Sequence, residues 1–271
     1  MSCRNICRNM NKMKNIPFYI FLLLSIAGCS SMYIPSPKPT PLFEKKGEVQ
    51  IETGTSVNSP FVIVGYAFSE KYALITSGSL SYRNFMNVYE RPYVEFDIFP
   101  FSDGAFAHRA VELGIGRYNM RPSSRQKLEL FAGTVYGNAN EGKDRKNNYY
   151  QCFVQTNIGN KKKYFELGGS FRLALSFFDY KSPEIDYSNG FRRDYILHKT
   201  FEVAHAETLF FMKFGGEHLK GCLRVGGNAA IPFLSSSNYE IIWRNGDLNR
   251  NYTMFHLSIG LSYSFGNKSK Q

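Results

Sequence analysis

From Gly47 onward the chain alternates apolar and polar residues with a period of two. The pattern is clearest at its end, where Thr253, Phe255, Leu257, Ile259, Leu261, Tyr263 and Phe265 alternate with Met254, His256, Ser258, Gly260, Ser262 and Ser264. A helix would mix these two sets on one face, whereas a strand sorts them onto opposite faces. The stretch 164–178 repeats the pattern, with Phe165, Leu167, Phe171, Leu173 and Phe177 set against Glu166, Ser170, Arg172 and Ser176. In 72–82, Tyr72, Leu74, Leu80 and Tyr82 oppose Ala73, Ser77 and Ser79; in 219–228, Leu219, Leu223 and Val225 oppose Lys220, Cys222, Arg224 and Asn228. This reading predicts ten strands: 47–56, 61–68, 72–83, 105–118, 127–137, 148–158, 164–179, 200–213, 219–231 and 250–265. A further segment, 92–99, has the composition of an extra strand or an extension.

The connections between these strands are unequal. After a short first pair, the segments 84–104, 180–199 and 232–249 are long, whereas 159–163 and 214–218 are short. Transmembrane barrels have this asymmetry, with short periplasmic turns and long extracellular loops. An even number of strands returns both ends of the barrel to one side. The expected fold is therefore all-β, a closed antiparallel up-and-down barrel of about ten strands of the outer-membrane type. The strands are longer than the usual five or six residues of soluble sheets, and aromatics sit near strand ends at Tyr72, Tyr82, Tyr263 and Phe265, as interfacial girdles would. Alternation alone leaves an alternative: a lipid-anchored, water-soluble, lipocalin-like barrel with its apolar faces turned inward around an apolar ligand.

Composition agrees with the strand reading. The 271 residues include 24 Phe, 18 Tyr and 23 Gly, a strand-rich usage. The first 28 residues form a segment of their own. Arg4, Arg8, Lys12 and Lys14 precede the apolar run Pro17–Gly28 with no acidic residue, the pattern of a secretory signal peptide. The run is too short to span a bilayer as a helix. It ends Ser25-Ile26-Ala27-Gly28-Cys29, which resembles the bacterial lipobox and implies cleavage before Cys29 and lipidation of that cysteine. Removing 1–28 leaves 29 basic and 22 acidic residues. Residues 29–46, rich in alternating proline, read as a lipidated, stiff, extended tether. The domain reading is thus signal peptide 1–28, tether 29–46, barrel 47–265 and polar tail 266–271.

The mature chain resembles the small outer-membrane β-barrel lipoproteins of the Bacteroidota type. The likeness is carried by the lipobox at Cys29, the opening Met32-Tyr-Ile-Pro-Ser-Pro, then Thr40-Pro-Leu-Phe and Lys46-Gly-Glu-Val-Gln-Ile, and the hairpin Tyr66-Ala-Phe-Ser-Glu-Lys-Tyr-Ala-Leu-Ile-Thr-Ser-Gly78. A final strand ending in Phe265 resembles the signal read by the barrel-assembly machinery, although six residues follow it here. The resemblance implies an outer-membrane location and mostly no assigned activity. In that group a surface-export signal places acidic residues after the lipid-bearing cysteine. Ser30, Ser31 and Met32 supply none, so the expected anchor lies in the periplasmic leaflet.

Candidate chemistry is sparse. Glu52, Glu112, Glu166, Arg172, Lys220 and Arg224 fall on the polar faces and are expected to form a charge network in the lumen, with Glu129 a further acidic member. Such charges can line a pore or close one; buried charges must pair and small barrels fill with side chains, which favours a plug. His256 and Ser258 share a face, but spacing of two on a strand means no more than that, and no enzyme activity is expected. Cys152 and Cys222 are expected to be free thiols, and no spacing fits a zinc site. No cofactor is expected. Basic, aromatic connections at 138–147, 180–199 and 232–249 suggest contact with outer-membrane lipids or lipopolysaccharide. Compartment excludes nucleic acid. The expected role is envelope structure or surface interaction.

Overall fold

A computed structural model describes residues 37–56, 59–80, 106–120, 126–141, 146–186, 193–231 and 254–266. Ten strands are present: β1 Val49–Ser56, β2 Pro60–Tyr66, β3 Tyr72–Leu80, β4 Phe106–Arg117, β5 Gln126–Glu141, β6 Lys146–Lys161, β7 Phe165–Asp186, β8 Arg193–Gly215, β9 Leu219–Ile231 and β10 Met254–Phe265. Each pairs antiparallel with its sequence neighbours, and β1 closes the barrel against β10 through the register Val49↔Phe265 to Ser56↔Ser258. Closure leaves the wall no edge strand, so backbone groups within the barrel pair strand to strand without water; β8 pairs with β9 only from Ala204 and β7 with β6 only as far as Lys181.

The alternation resolves into an outside and an inside. On β7, Leu173 is 49% exposed and its neighbour Arg172 is 0% exposed. On β10, Leu257, Ile259, Leu261, Tyr263 and Phe265 face out, while His256, Ser258 and Ser262 are buried inside. An apolar exterior around a charged interior inverts the soluble arrangement and is that of membrane-spanning barrels. The apolar interior required by the soluble alternative is absent from the middle of the lumen, where Glu112, Glu207, Arg172, Lys213 and Arg224 are all buried.

The outer band has two aromatic edges. Near the short turns lie Tyr66, Tyr72, Tyr164, Phe165, Phe214, Tyr263 and Phe265, all exposed. At the opposite edge the register aligns Tyr136, Tyr150 and Phe177 across β5, β6 and β7. From Phe165 to Phe177 a strand climbs about 40 Å, or about 30 Å along the axis at the usual barrel tilt, enough for a bilayer core. Above Phe177 the same face of β7 turns polar with Asp179 and Lys181, which marks the upper limit of the band.

Two expected loops are largely strand. The connection placed at 180–199 is a hairpin whose register runs on from Tyr180↔Lys199 to Asp186↔Arg193. Likewise 138–147 shrinks, because β5 continues to Glu141 and β6 begins at Lys146. Above the lipid both faces of a hairpin meet water, so its residues need not alternate in polarity and the period-two signal fades while pairing continues. The segment 92–99, Tyr82 and the connection 232–249 lie outside the described residues.

Candidate functional site in the lumen

The interior holds a guest that alternation could not reveal. Residues 37–43, expected as part of a stiff, extended tether, lie inside the barrel: Lys38 is 2% exposed, Thr40 1%, and Leu42 and Phe43 0%. The proline run explains why it can be buried. Pro37, Pro39 and Pro41 carry no N–H, so an extended strand there has few donors to satisfy and mainly offers carbonyls. The wall supplies the donors. Arg224 donates to Lys38 O at 3.0 Å and to Thr40 Oγ1 at 3.3 Å, and Lys213 to Thr40 O at 3.1 Å. Gln155 and Asn157 donate to Pro39 O at 2.7 and 3.2 Å, and Lys161 to Leu42 O at 3.2 Å.

At its lower end the segment bends and locks. Leu42 adopts a left-handed φ of 49°, uncommon for a residue with a Cβ and costing on the order of 1 kcal/mol. The bend carries Phe43 into an edge-on contact with Tyr118, 5.6 Å between centroids, and lets the Phe43 N–H donate to Glu129 at 2.7 Å. Two inward glycines make room for it. A Cβ on Gly65 would stand 2.7 Å from Phe43, and one on Gly159 2.7 Å from Leu42. The gap left beside 39–41 is about 10 Å³, space for a single water at most. Gly65→Val should therefore strain this seat and lower stability by about 1–3 kcal/mol, read as a lower unfolding midpoint in detergent; an unchanged midpoint would mean that the segment does not pack there.

The expected lumen charges are all buried inside, where they meet oppositely charged partners across the wall. Arg172 meets Glu112 as a fork, Nη1 to Oε2 at 3.0 Å and Nη2 to Oε1 at 2.7 Å, with its guanidinium 4.0 Å from the centre of the Phe153 ring. Glu52 is held by Arg224 at 2.6 Å and Lys213 at 3.2 Å. Lys220 reaches Glu166 at 2.7 Å. Further members join them: Lys38 with Glu207 at 3.1 Å, Lys161 with Glu48, and Glu129 accepting from Asn157 at 3.0 Å. Lys213 and Glu207 escaped the sequence reading because β8 is apolar on both faces in this stretch, with Phe210, Met212 and Phe214 outside and Leu209 and Phe211 inside. Lys38 gave no periodic signal at all, standing among prolines. Glu48 lies at the turn end, just before β1. Burial opposes its charge, yet Lys161 and the Glu44 N–H and Gln50 amide hold its carboxyl below the usual carboxylate range.

Above this layer the wall is aromatic. His108 Nε2 and the Tyr149 hydroxyl are 2.9 Å apart, and Tyr149, Phe178 and Phe201 follow one another at ring separations of 5.7 and 5.0 Å. His256 Nε2 lies 3.2 Å from Ser258 Oγ, and neither is hydrogen-bonded to a carboxylate among the described residues. His198 and Asp179 pair on the exposed β7–β8 hairpin, and His218 Nδ1 bonds Ser264 O at a turn. Cys152 faces out and Cys222 in, both as free thiols. No group of three His, Cys, Asp or Glu able to hold a metal ion occurs among the described residues. A cavity of about 370 Å³ opens at the turn end, lined by Lys45, Glu48, Lys161, Lys162, Glu217 and His218 among others. Cys29 lies outside the described residues.

No protein-family model and no curated protein matches the chain. Among solved structures it is similar to the outer membrane protease OmpT from Escherichia coli, at 11% identity over 80% of this chain and 93% of that one, with a TM-score of 0.46. It is also similar to the N-terminal β-barrel domain of Pseudomonas aeruginosa OprF, at 10% identity, 81% and 98% coverage and a TM-score of 0.31. A third likeness is to the KdgM porin, at 10% identity, 80% and 99% coverage and a TM-score of 0.32. Neither proteolysis nor a pore passes to this chain from likenesses this distant.

Proposed function

We propose that this protein is an outer-membrane β-barrel lipoprotein, anchored through Cys29, that closes its own lumen and serves the envelope as a structural or surface-interaction element. The observation that carries the reading is the pairing of an apolar outer band with an interior filled by charge pairs and by residues 37–43. A wall that donates six hydrogen bonds to one proline-rich segment is a seat for that segment, and this supports a lumen closed by it. The lipobox-like run before Cys29 supports the anchor, and the opening and hairpin stretches support kinship with the Bacteroidota-type barrel lipoproteins. Partners in this reading are outer-membrane lipids or lipopolysaccharide around the band and the barrel-assembly machinery during insertion. No catalytic group is assigned.

Conductance tests the closure. Purified protein in planar bilayers should show no steady, large current at moderate voltage. Reproducible open channels in the unmodified protein would contradict the closed-lumen reading and make the charge pairs a selectivity lining.

A further inference from the structure

The direction of the buried segment says where the chain has come from. Followed from Phe43 back toward Pro37, its wall contacts leave the turn end on two strands independently. On β6 they pass from Lys161, the last residue of the strand, at Leu42 to Asn157 and Gln155 at Pro39. On β8 they pass from Lys213 at Thr40 to Glu207 at Lys38. The carbonyl of Lys38 accepts from Arg224, whose register row runs through Ser258 to Ser56, the last residue of β1 at its loop end. That guanidinium also reaches Thr40 and Glu52, so the level of Lys38 is set by its ammonium at Glu207, six residues along β8 from the Lys213 that holds Thr40 and farther from the turn end. Returning to the turn end would need a second strand of chain beside the first, and the gap between 39–41 and the β1–β2 wall is about 10 Å³.

We propose that the chain before Pro37 leaves the barrel at its loop end, so that the anchor on Cys29 belongs to the outer leaflet, opposite the C-terminus. This rests on the outer-membrane reading above and reverses the periplasmic-leaflet expectation drawn from the absence of acidic residues after Cys29. Eight residue steps separate Cys29 from Pro37, a reach of about 25 Å when extended, which exceeds half the thickness of a bilayer core, about 15 Å. The segment is then a thread through the barrel: its lower end turns into β1 at the periplasmic side, and its upper end is tied to surface lipid. Pulling on either end would be resisted by the Arg224, Lys213, Gln155 and Asn157 bonds.

The test places one epitope in the full chain at three positions in turn: between Ser31 and Met32, after Lys162 in the β6–β7 turn, and after Ser188 between β7 and β8. Antibody binding is compared in intact and outer-membrane-permeabilised cells. The Ser31 epitope should be reached in intact cells, as the Ser188 epitope is, while the Lys162 epitope is reached only after permeabilisation. A Ser31 epitope reached only after permeabilisation, or in neither state, overturns the proposal. If the Ser188 epitope is itself hidden in intact cells, the outer-membrane reading fails and takes the proposal with it.

Discussion

Leu173→Arg should cripple the protein although Leu173 is an exposed residue packed under nothing. It sits 49% exposed near the middle of the apolar band, between Phe165 and Phe177 on the outer face of β7. In water, such a surface substitution changes stability by no more than about 0.5 kcal/mol. In lipid, an arginine on the outer face of a barrel costs about 2–4 kcal/mol at the bilayer midplane and little near the interfaces. Ile196→Arg supplies the contrast. Ile196 is more exposed still, at 74%, but lies on β8 opposite Pro183, above the level at which β7 turns polar. The expected result is a large fall in assembled protein and in urea resistance for L173R, with I196R close to the parent. If both substitutions are silent, the band does not face lipid.

Arg172→Met is the second change of large expected effect, and it acts from inside. Arg172 and Glu112 are both fully buried and joined by a two-pronged ion pair 2.7 and 3.0 Å long. Taking a partner from a buried pair typically costs 3–5 kcal/mol, because a desolvated charge loses its compensation, whereas replacing both by apolar residues of similar size is often neutral. Methionine keeps the contact with Phe153 that the guanidinium makes. R172M should therefore unfold at markedly lower temperature or urea concentration, and R172M/E112M should recover most of the loss. A single variant as stable as the parent would mean that water reaches this layer of the lumen, and the closed interior would have to be given up. A double variant no better than the single would place the loss in packing and not in charge.

The barrel was legible in the sequence because its two solvents are so different. Lipid on one side and a charged lumen on the other forced a period of two at Phe165–Phe178 and Thr253–Phe265 that no helix could mimic. The same logic put Glu52, Glu112, Glu166, Arg172, Lys220 and Arg224 on one side of the wall. It could not say which would meet, since partners such as Arg172 and Glu112 stand on β7 and β4, across the lumen and not beside each other in the sheet. The threaded segment was hidden for a different reason. Alternating proline looks the same in a solvated tether and in a buried strand, because its lack of N–H groups suits both. The one readable hint was the wall: Gly65 and Gly159 leave inward-facing hollows, and a hollow in a filled barrel needs a guest. The upper hairpin of β7 and β8 was misjudged as a loop because beyond Phe177 the outer face turns polar with Asp179 and Lys181, which erases the contrast on which the reading relied.

The exposed apolar band means that the fold itself, and not a lipid, holds this protein in a membrane. Residues 30–271 behind an ordinary, non-lipobox signal peptide remove the lipid and keep the barrel. Isolated envelopes are then washed with urea or carbonate, and the retained protein is run on a gel with and without boiling. The protein should stay with the membrane and migrate differently before and after boiling, as a closed barrel does. Release by the wash as a folded, soluble species would contradict the account, because the exposed apolar band would then have to be covered by something other than lipid.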